Sequence, residues 1–131
     1  MRLLLDTHIA VWALTDHPRL AGKARALLID PANEVFVSAV NVLEVGIKHA
    51  LRKSGPDAME ISARQFMQLV EGANFETLPV QAEHAALAGE LEPIHRDPFD
   101  RLLVAQALAE DLRLVTHDKV VASYGPVALE V

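Results

Sequence analysis

The chain has 131 residues, with 18 Asp and Glu against 12 Lys and Arg, a net charge of -6 and no cysteine. That composition excludes a disulfide scaffold, a Cys-ligated zinc site and a protein that grips nucleic acid through bulk positive charge. Hydrophobic residues make up 51% but aromatics only 5%, so one expected domain, residues 1–131, has a core of Leu, Val, Ile and Ala.

Arg2 to Leu5 is a short aliphatic run that reads as a strand and ends at Asp6. A helix from Thr7 to about Leu14 follows. It holds the longest apolar run, Ile9 to Leu14, far below the ~20 residues that cross a bilayer. Asp6 and His8 also interrupt any leader-like segment, so the chain reads as soluble and cytoplasmic. Leu20, Ala24, Leu27 and Leu28 recur on one side of a second helix that reaches Ile29, and Val35-Phe36-Val37 is the second strand. Val40, Leu43, Ile47, Ala50 and Leu51 make an apolar stripe along a helix from about Ala39 to Lys53. Ile61, Phe66, Leu69 and Val70 give a weaker stripe before a third strand at Phe75 to Leu78, and Ala82 to Leu91 is a short helix. Asp97-Pro98 opens a helix carrying Leu102, Leu103, Ala105, Gln106 and Ala109, because Asp caps and Pro tolerates the first helical position. Leu112 to Val115 and Val127 to Val131 are the fourth and fifth strands.

Asp30-Pro31-Ala32-Asn33, Ser54-Gly55-Pro56-Asp57 and Glu92-Pro93 read as turns within one domain. Strands that alternate with helices imply an α/β sandwich around a mainly parallel sheet. In such folds the ligand crevice lies beyond the carboxyl ends of the strands.

Four acids fall near those ends. Asp6 follows the first strand, Glu44 lies a turn and a half into the helix after the second, Asp100 sits in the first turn of the Asp97 helix, and Asp118 comes just after the fourth strand. Each has an ordinary reading. Asp6 and Asp118 can cap the helices they precede, Asp100 can complement a helix dipole, and Glu44 can pair with Lys48 four residues on. Taken together, convergent carboxylates repel one another, and a hard divalent cation such as Mg2+ resolves that conflict. The chemistry implied is metal-dependent phosphodiester hydrolysis without a nucleophilic side chain.

Four blocks carry a family resemblance: Leu3-Leu4-Leu5-Asp6-Thr7-His8, Val37-Ser38-Ala39-Val40-Asn41-Val42-Leu43-Glu44, Asp97-Pro98-Phe99-Asp100-Arg101-Leu102-Leu103-Val104-Ala105-Gln106, and Leu114-Val115-Thr116-His117-Asp118. In order and spacing they resemble the PIN-domain ribonucleases, particularly the VapC-type toxins of bacterial toxin–antitoxin pairs. The resemblance implies an α/β/α sandwich with a parallel sheet of about five strands and an acidic site for Mg2+ or Mn2+. By position it carries over Asp6, Glu44, Asp100 and Asp118 as catalytic metal-site acids, with Ser38 and Thr116 as supporting residues. Arg101 stands where many members continue directly into an aliphatic run, and Asp97 is the substitute for Asp100 as third acid. RNA is the implied substrate, a small antitoxin with a basic side chain the implied partner, and a homodimer the implied assembly.

Lys48 and Arg52 follow Glu44 at four-residue intervals, so the three share a helical face that could meet an RNA backbone, and Arg101 could add to it. His8 and His117 neighbour two of the acids, but no His-x3-His pair exists. Surface or substrate contact suits them better than zinc. Trp12 reads as core or partner interface. A phosphatase with an Asp nucleophile would want Asp-x-Asp, which Asp6-Thr7-His8 lacks. The remaining alternative is a PIN-fold protein that binds or scaffolds without catalysis.

Overall fold

Leu3, Leu4 and Leu5 are all fully buried. Successive strand side chains point to opposite faces, so a run this apolar needs cover on both sides. The computed structural model describes residues 1–51, 54–55 and 58–131 and supplies that cover. Strand β1 (Arg2–Leu5) lies at the centre of a five-stranded sheet with β2 (Glu34–Ser38), β3 (Glu76–Leu78), β4 (Arg113–Thr116) and β5 (Ala128–Glu130). Their order is β3-β2-β1-β4-β5, and every pairing is parallel. Leu4 stands between Phe36 and Leu114 in register.

The two faces have separate cores. Leu3, Leu5, Val35, Val37 and Val115 pack against α1 (Thr7–Leu14), α2 (Gly22–Ile29) and α4 (Ala63–Gly72) through Ile9, Ala10, Ala24, Phe66 and Val70. On the other face Leu4 and Leu114 meet Leu103, Val104 and Ala107 of α6 (Pro98–Ala109) and Val121 of α7 (Lys119–Ala122). Helix α5 (Ala82–Glu90) packs on α6. Each fully buried Leu contributes roughly 1.5–3 kcal/mol by leaving water. The layers are those of the expected α/β/α sandwich, with the sheet wholly rather than mainly parallel.

Helix α3 (Ala39–Leu51) corrects one expectation. An apolar stripe ordinarily marks the core-facing side of a helix. Here Leu43, Ile47 and Leu51 are 54%, 41% and 58% exposed, while Val40, Asn41, Glu44 and Val45 are buried. The inward face is polar at Asn41 and Glu44, beyond the strand ends, and Val40 and Val45, with the half-buried Val42, anchor it to the two cores. Gly46 lets α4 approach, since a Cβ there would come within 3.2 Å of Ala63 Cβ. Arg52 and Lys53, at the end of the expected helix, and Pro56 and Asp57, in the expected turn, lie outside the described residues.

Because all five strands run the same way, their carboxyl ends share one edge of the sheet. Asp6, Ser38 and Thr116 therefore stand side by side at the ends of the three central strands. Asp97 caps α6, accepting from Phe99 N–H at 2.8 Å and Asp100 N–H at 3.3 Å, with Pro98 opening the helix. That cap brings the first turn of α6 to the same edge. Among the described residues, no helix is long and apolar enough to cross a membrane.

Candidate metal centre

Asp6 is buried at the end of the central strand, and both its carboxylate oxygens are held. Oδ1 accepts from the Thr7 N–H at 2.8 Å, which is the helix-capping bond, and Oδ2 accepts from the Thr116 hydroxyl at 2.7 Å. The Asp6 carboxyl is pushed above the usual carboxylate range, first by burial and then by the charge of Glu44, against the lowering effect of those two hydrogen bonds. The Thr116 hydroxyl also accepts from the Asp118 N–H at 3.0 Å, tying two acids to one side chain.

Glu44 is buried on the inner face of α3. Its Oε1 accepts from the Thr7 hydroxyl at 2.6 Å, and its Oε2 pairs with Lys48 Nζ at 2.7 Å. The Thr7 hydroxyl in turn accepts from Asn41 Nδ2 at 2.9 Å, and Asn41 Oδ1 accepts from the Ser38 N–H at 2.7 Å. Ser38 thus acts on Glu44 through Asn41 and Thr7 rather than by touching an acid. Its own hydroxyl donates to Gln106 Oε1 at 2.5 Å and accepts from Val40 N–H.

Asp100 faces this group from α6. Its carboxyl is pushed up to about 8, first by burial and then by the negative charges of Asp6, Asp97, Glu44 and Asp118. Asp97, by contrast, uses its carboxylate as the α6 cap. Asp118 caps α7 and is the most exposed of the four. Burial raises its carboxyl, but the Val120 N–H, His95 and the Val121 N–H outweigh that and hold it below the ordinary value. The ordinary readings of three of these residues hold: Asp6 and Asp118 cap helices, and Glu44 pairs with Lys48.

The proton affinity of Asp100 reflects burial first and, beyond it, the negative charge gathered at this edge. A donor set of carboxylate oxygens at one edge fits a hard divalent cation such as Mg2+ or Mn2+.

Three features of the edge were not singled out by sequence reasoning. Thr7 and Asn41 position Glu44, and their signal was weak: each is a small polar residue adjacent to, or one helical turn from, an expected acid. His95 reaches the acids from the loop before α6, its Nε2 lying 3.0 Å from Asp100 Oδ2 and 3.4 Å from Asp118 Oδ2.

Arg101 does not extend the basic strip. Its guanidinium donates to the carbonyls of Ala88 at 2.6 Å, Leu91 at 3.2 Å, Glu92 at 3.3 Å and His95 at 3.4 Å. It fastens the α5–α6 connection. His8 and His117 join an aromatic cluster. His117 lies 4.9 Å from Trp12 and 5.9 Å from His8, ring centre to ring centre, and Arg19 covers the Trp12 ring at 4.7 Å. Burial, and then the Lys48 charge, hold the His8 imidazole below its ordinary value against the pull of Asp6 and Glu44.

Residues 3–125 match the family model for the PIN domain. This chain belongs to the PIN-domain family. The match runs from Leu3 in β1, spans all four acids and the strands through β4, and ends before β5. The PIN domain is also 29% identical over 123 residues to Ribonuclease VapC22 of Mycobacterium tuberculosis, covering 93% of this chain and 91% of that protein. Among solved structures its fold resembles that in VapBC2 from Rickettsia felis bound to a promoter DNA fragment, with a TM-score of 0.67 and 20% identity over 100% of this chain and 98% of the other. A toxin–antitoxin complex from Klebsiella pneumoniae gives 0.64 and 20% over 98% and 99%. VapBC-5 from Mycobacterium tuberculosis gives 0.62 and 21% over 99% and 97%.

Proposed function

We propose that this PIN domain is a divalent-metal-dependent endoribonuclease that hydrolyses RNA phosphodiester bonds and acts in the cytoplasm as the toxin of a toxin–antitoxin pair. The observation that supports the reading is the crowding of negative charge around Asp100, whose carboxyl is pushed up to about 8 by burial and by the charges of Asp6, Asp97, Glu44 and Asp118. The likeness to Ribonuclease VapC22 supports the choice of RNA as substrate.

Asp6, Glu44, Asp100 and Asp118 would hold Mg2+ or Mn2+. When bound, such an ion supplies an activated water and positive charge against the phosphoryl oxygens. Asp6 is the most firmly oriented of the four, because the Thr7 N–H and the Thr116 hydroxyl each fix one of its oxygens. Thr7 orients Glu44 in the same way, backed by Asn41 and Ser38. Lys48 lies beside Glu44 with its side chain 34% exposed, placed to meet an RNA phosphate at the mouth of the site. Arg52 would continue that strip. The chain's own residues thus supply ligands, orientation and a phosphate contact, and water supplies the nucleophile.

A small antitoxin is the expected partner, supported by the toxin–antitoxin complexes among the similar folds. Its basic side chain would meet the same carboxylates. A homodimer is the expected assembly. The deciding experiment maps RNA 5′ ends after induced expression and follows cleavage by the purified protein. Cleavage supported by Mg2+ or Mn2+, stopped by EDTA and lost in Asp6→Asn, is the expected result. A folded, antitoxin-free protein that cleaves no RNA with either metal would instead make it a binding module.

A further inference from the structure

The four-acid reading leaves His95 without a task, although its Nε2 stands within hydrogen-bond reach of two of the acids. Polar atoms of His95, Asp100 and Asp118 all lie within 4.8 Å of one another. Two chemistries fit such a trio. The imidazole can be a ligand beside two carboxylates, or it can be a donor that holds them.

The far side of the ring decides between them. The backbone N–H of Asp97 donates to His95 Nδ1 at 3.0 Å, so Nδ1 presents its lone pair there and the ring hydrogen sits on Nε2. A nitrogen that carries its hydrogen has no lone pair for a metal. That arrangement is anchored on both sides. Asp97 caps α6, which fixes the N–H aimed at Nδ1. The His95 N–H donates to the Tyr124 hydroxyl at 3.0 Å, which itself donates to the Glu92 carbonyl at 3.1 Å. The His95 carbonyl accepts from Arg101.

We propose that His95 is a positioning residue of the metal centre: its Nε2–H, hydrogen-bonded to Asp118 and standing 3.0 Å from Asp100 Oδ2, orients these carboxylates for a divalent cation, and the ring is not a ligand. This rests on the metallonuclease reading above. Two carboxylates brought together turn away from each other unless something holds them. An N–H placed between them does so while leaving the other carboxylate oxygens available, and hydrogen bonds of this outer kind set ligand geometry in metal sites generally.

Asn and Gln separate the two ring nitrogens. His95→Asn retains an acceptor for the Asp97 N–H and loses the donor to the acids, whereas His95→Gln retains a donor at that reach and loses the acceptor. The full chain is titrated with Mn2+ by calorimetry, with thermal unfolding in EDTA to establish that each variant is folded. His95→Asn is expected to bind Mn2+ about 10–100-fold more weakly and His95→Gln within about threefold of wild type. Pulsed electron paramagnetic resonance of the wild-type Mn2+ complex is expected to show no directly coordinated imidazole nitrogen.

Unchanged binding by His95→Asn, equal losses in Asn and Gln, or a coordinated imidazole would each overturn the proposal while leaving the metal centre standing. Wild-type protein that binds no Mn2+, or Asp6→Asn that binds like wild type, would overturn the metallonuclease reading and this inference with it.

Discussion

Replacing a carboxyl that burial and neighbouring negative charge hold above its ordinary value should make the metal-free protein more stable. Asp100→Asn is the sharpest case. Its carboxyl is pushed up from 3.8 to about 8 by burial and by four neighbouring negative charges, so the folded state holds a proton that the unfolded chain releases. The stability tied to this group is complete below the ordinary value of 3.8 and is lost as pH rises to about 8. At pH 7 wild type must take up a proton that Asn never needs, and at ~1.4 kcal/mol per tenfold change in affinity this amounts to about 4 kcal/mol. Water screening and relaxation around a side chain that is 14% exposed reduce the figure. A gain of about 2 kcal/mol remains for Asp100→Asn, or a rise in Tm of roughly 6–10 °C for a domain of this size.

The assay is thermal unfolding of wild type and variant in EDTA from pH 4 to pH 9. The gap should be small at pH 4, widen toward pH 8 and level off above it. Excess Mn2+ should narrow it by stabilising wild type alone. A variant that melts with or below wild type across this range in EDTA would refute the argument that these carboxylates repel one another.

Thr7→Val keeps the side-chain shape but removes the hydroxyl between Asn41 and Glu44. It should lower stability by about 1–3 kcal/mol in urea unfolding, because two buried polar groups lose their partner together. Lys48→Ala leaves the buried Glu44 carboxylate without its cation, so the metal-free protein should lose about 1–2 kcal/mol, with Mn2+ restoring most of it, both read by thermal unfolding. Arg101→Met removes donors from four carbonyls, one in α5 and three in the connection after it, while keeping an apolar stem. It should lower stability by about 2–3 kcal/mol yet leave the salt dependence of RNA binding unchanged, since the guanidinium faces the loop.

Local pattern in the sequence carries the element order, the buried strands and the helix start at Asp97-Pro98, because strand length, apolar run and capping chemistry are properties of neighbouring residues. The edge positions of Asp6, Glu44 and Asp118 were legible for a related reason: a parallel sheet delivers whatever follows its central strands to one edge. What the sequence conceals is direction. The apolar stripe of α3 pointed to a buried face, but the site claims the inward side for Asn41 and Glu44 and turns Leu43, Ile47 and Leu51 outward. Arg101 read as a free cation because its partners are backbone carbonyls, which no residue identity encodes. His95, which precedes the acidic block in sequence, was not counted among the site residues for the same reason, since the contact that defines its chemistry is the backbone N–H of Asp97.

The central place of β1 bears on when the protein can first become competent. Its neighbour β4 is among the last elements to be synthesised, and Asp6 waits for a hydroxyl 110 residues further along the chain. A nascent chain that stops short of Thr116 leaves one edge of β1 unpaired and one oxygen of Asp6 unheld, and it lacks Asp118 altogether. Contacts of such sequence separation close late in folding. The order of strands is therefore a timer, and no translation product that stops short of Asp118 carries all four acids.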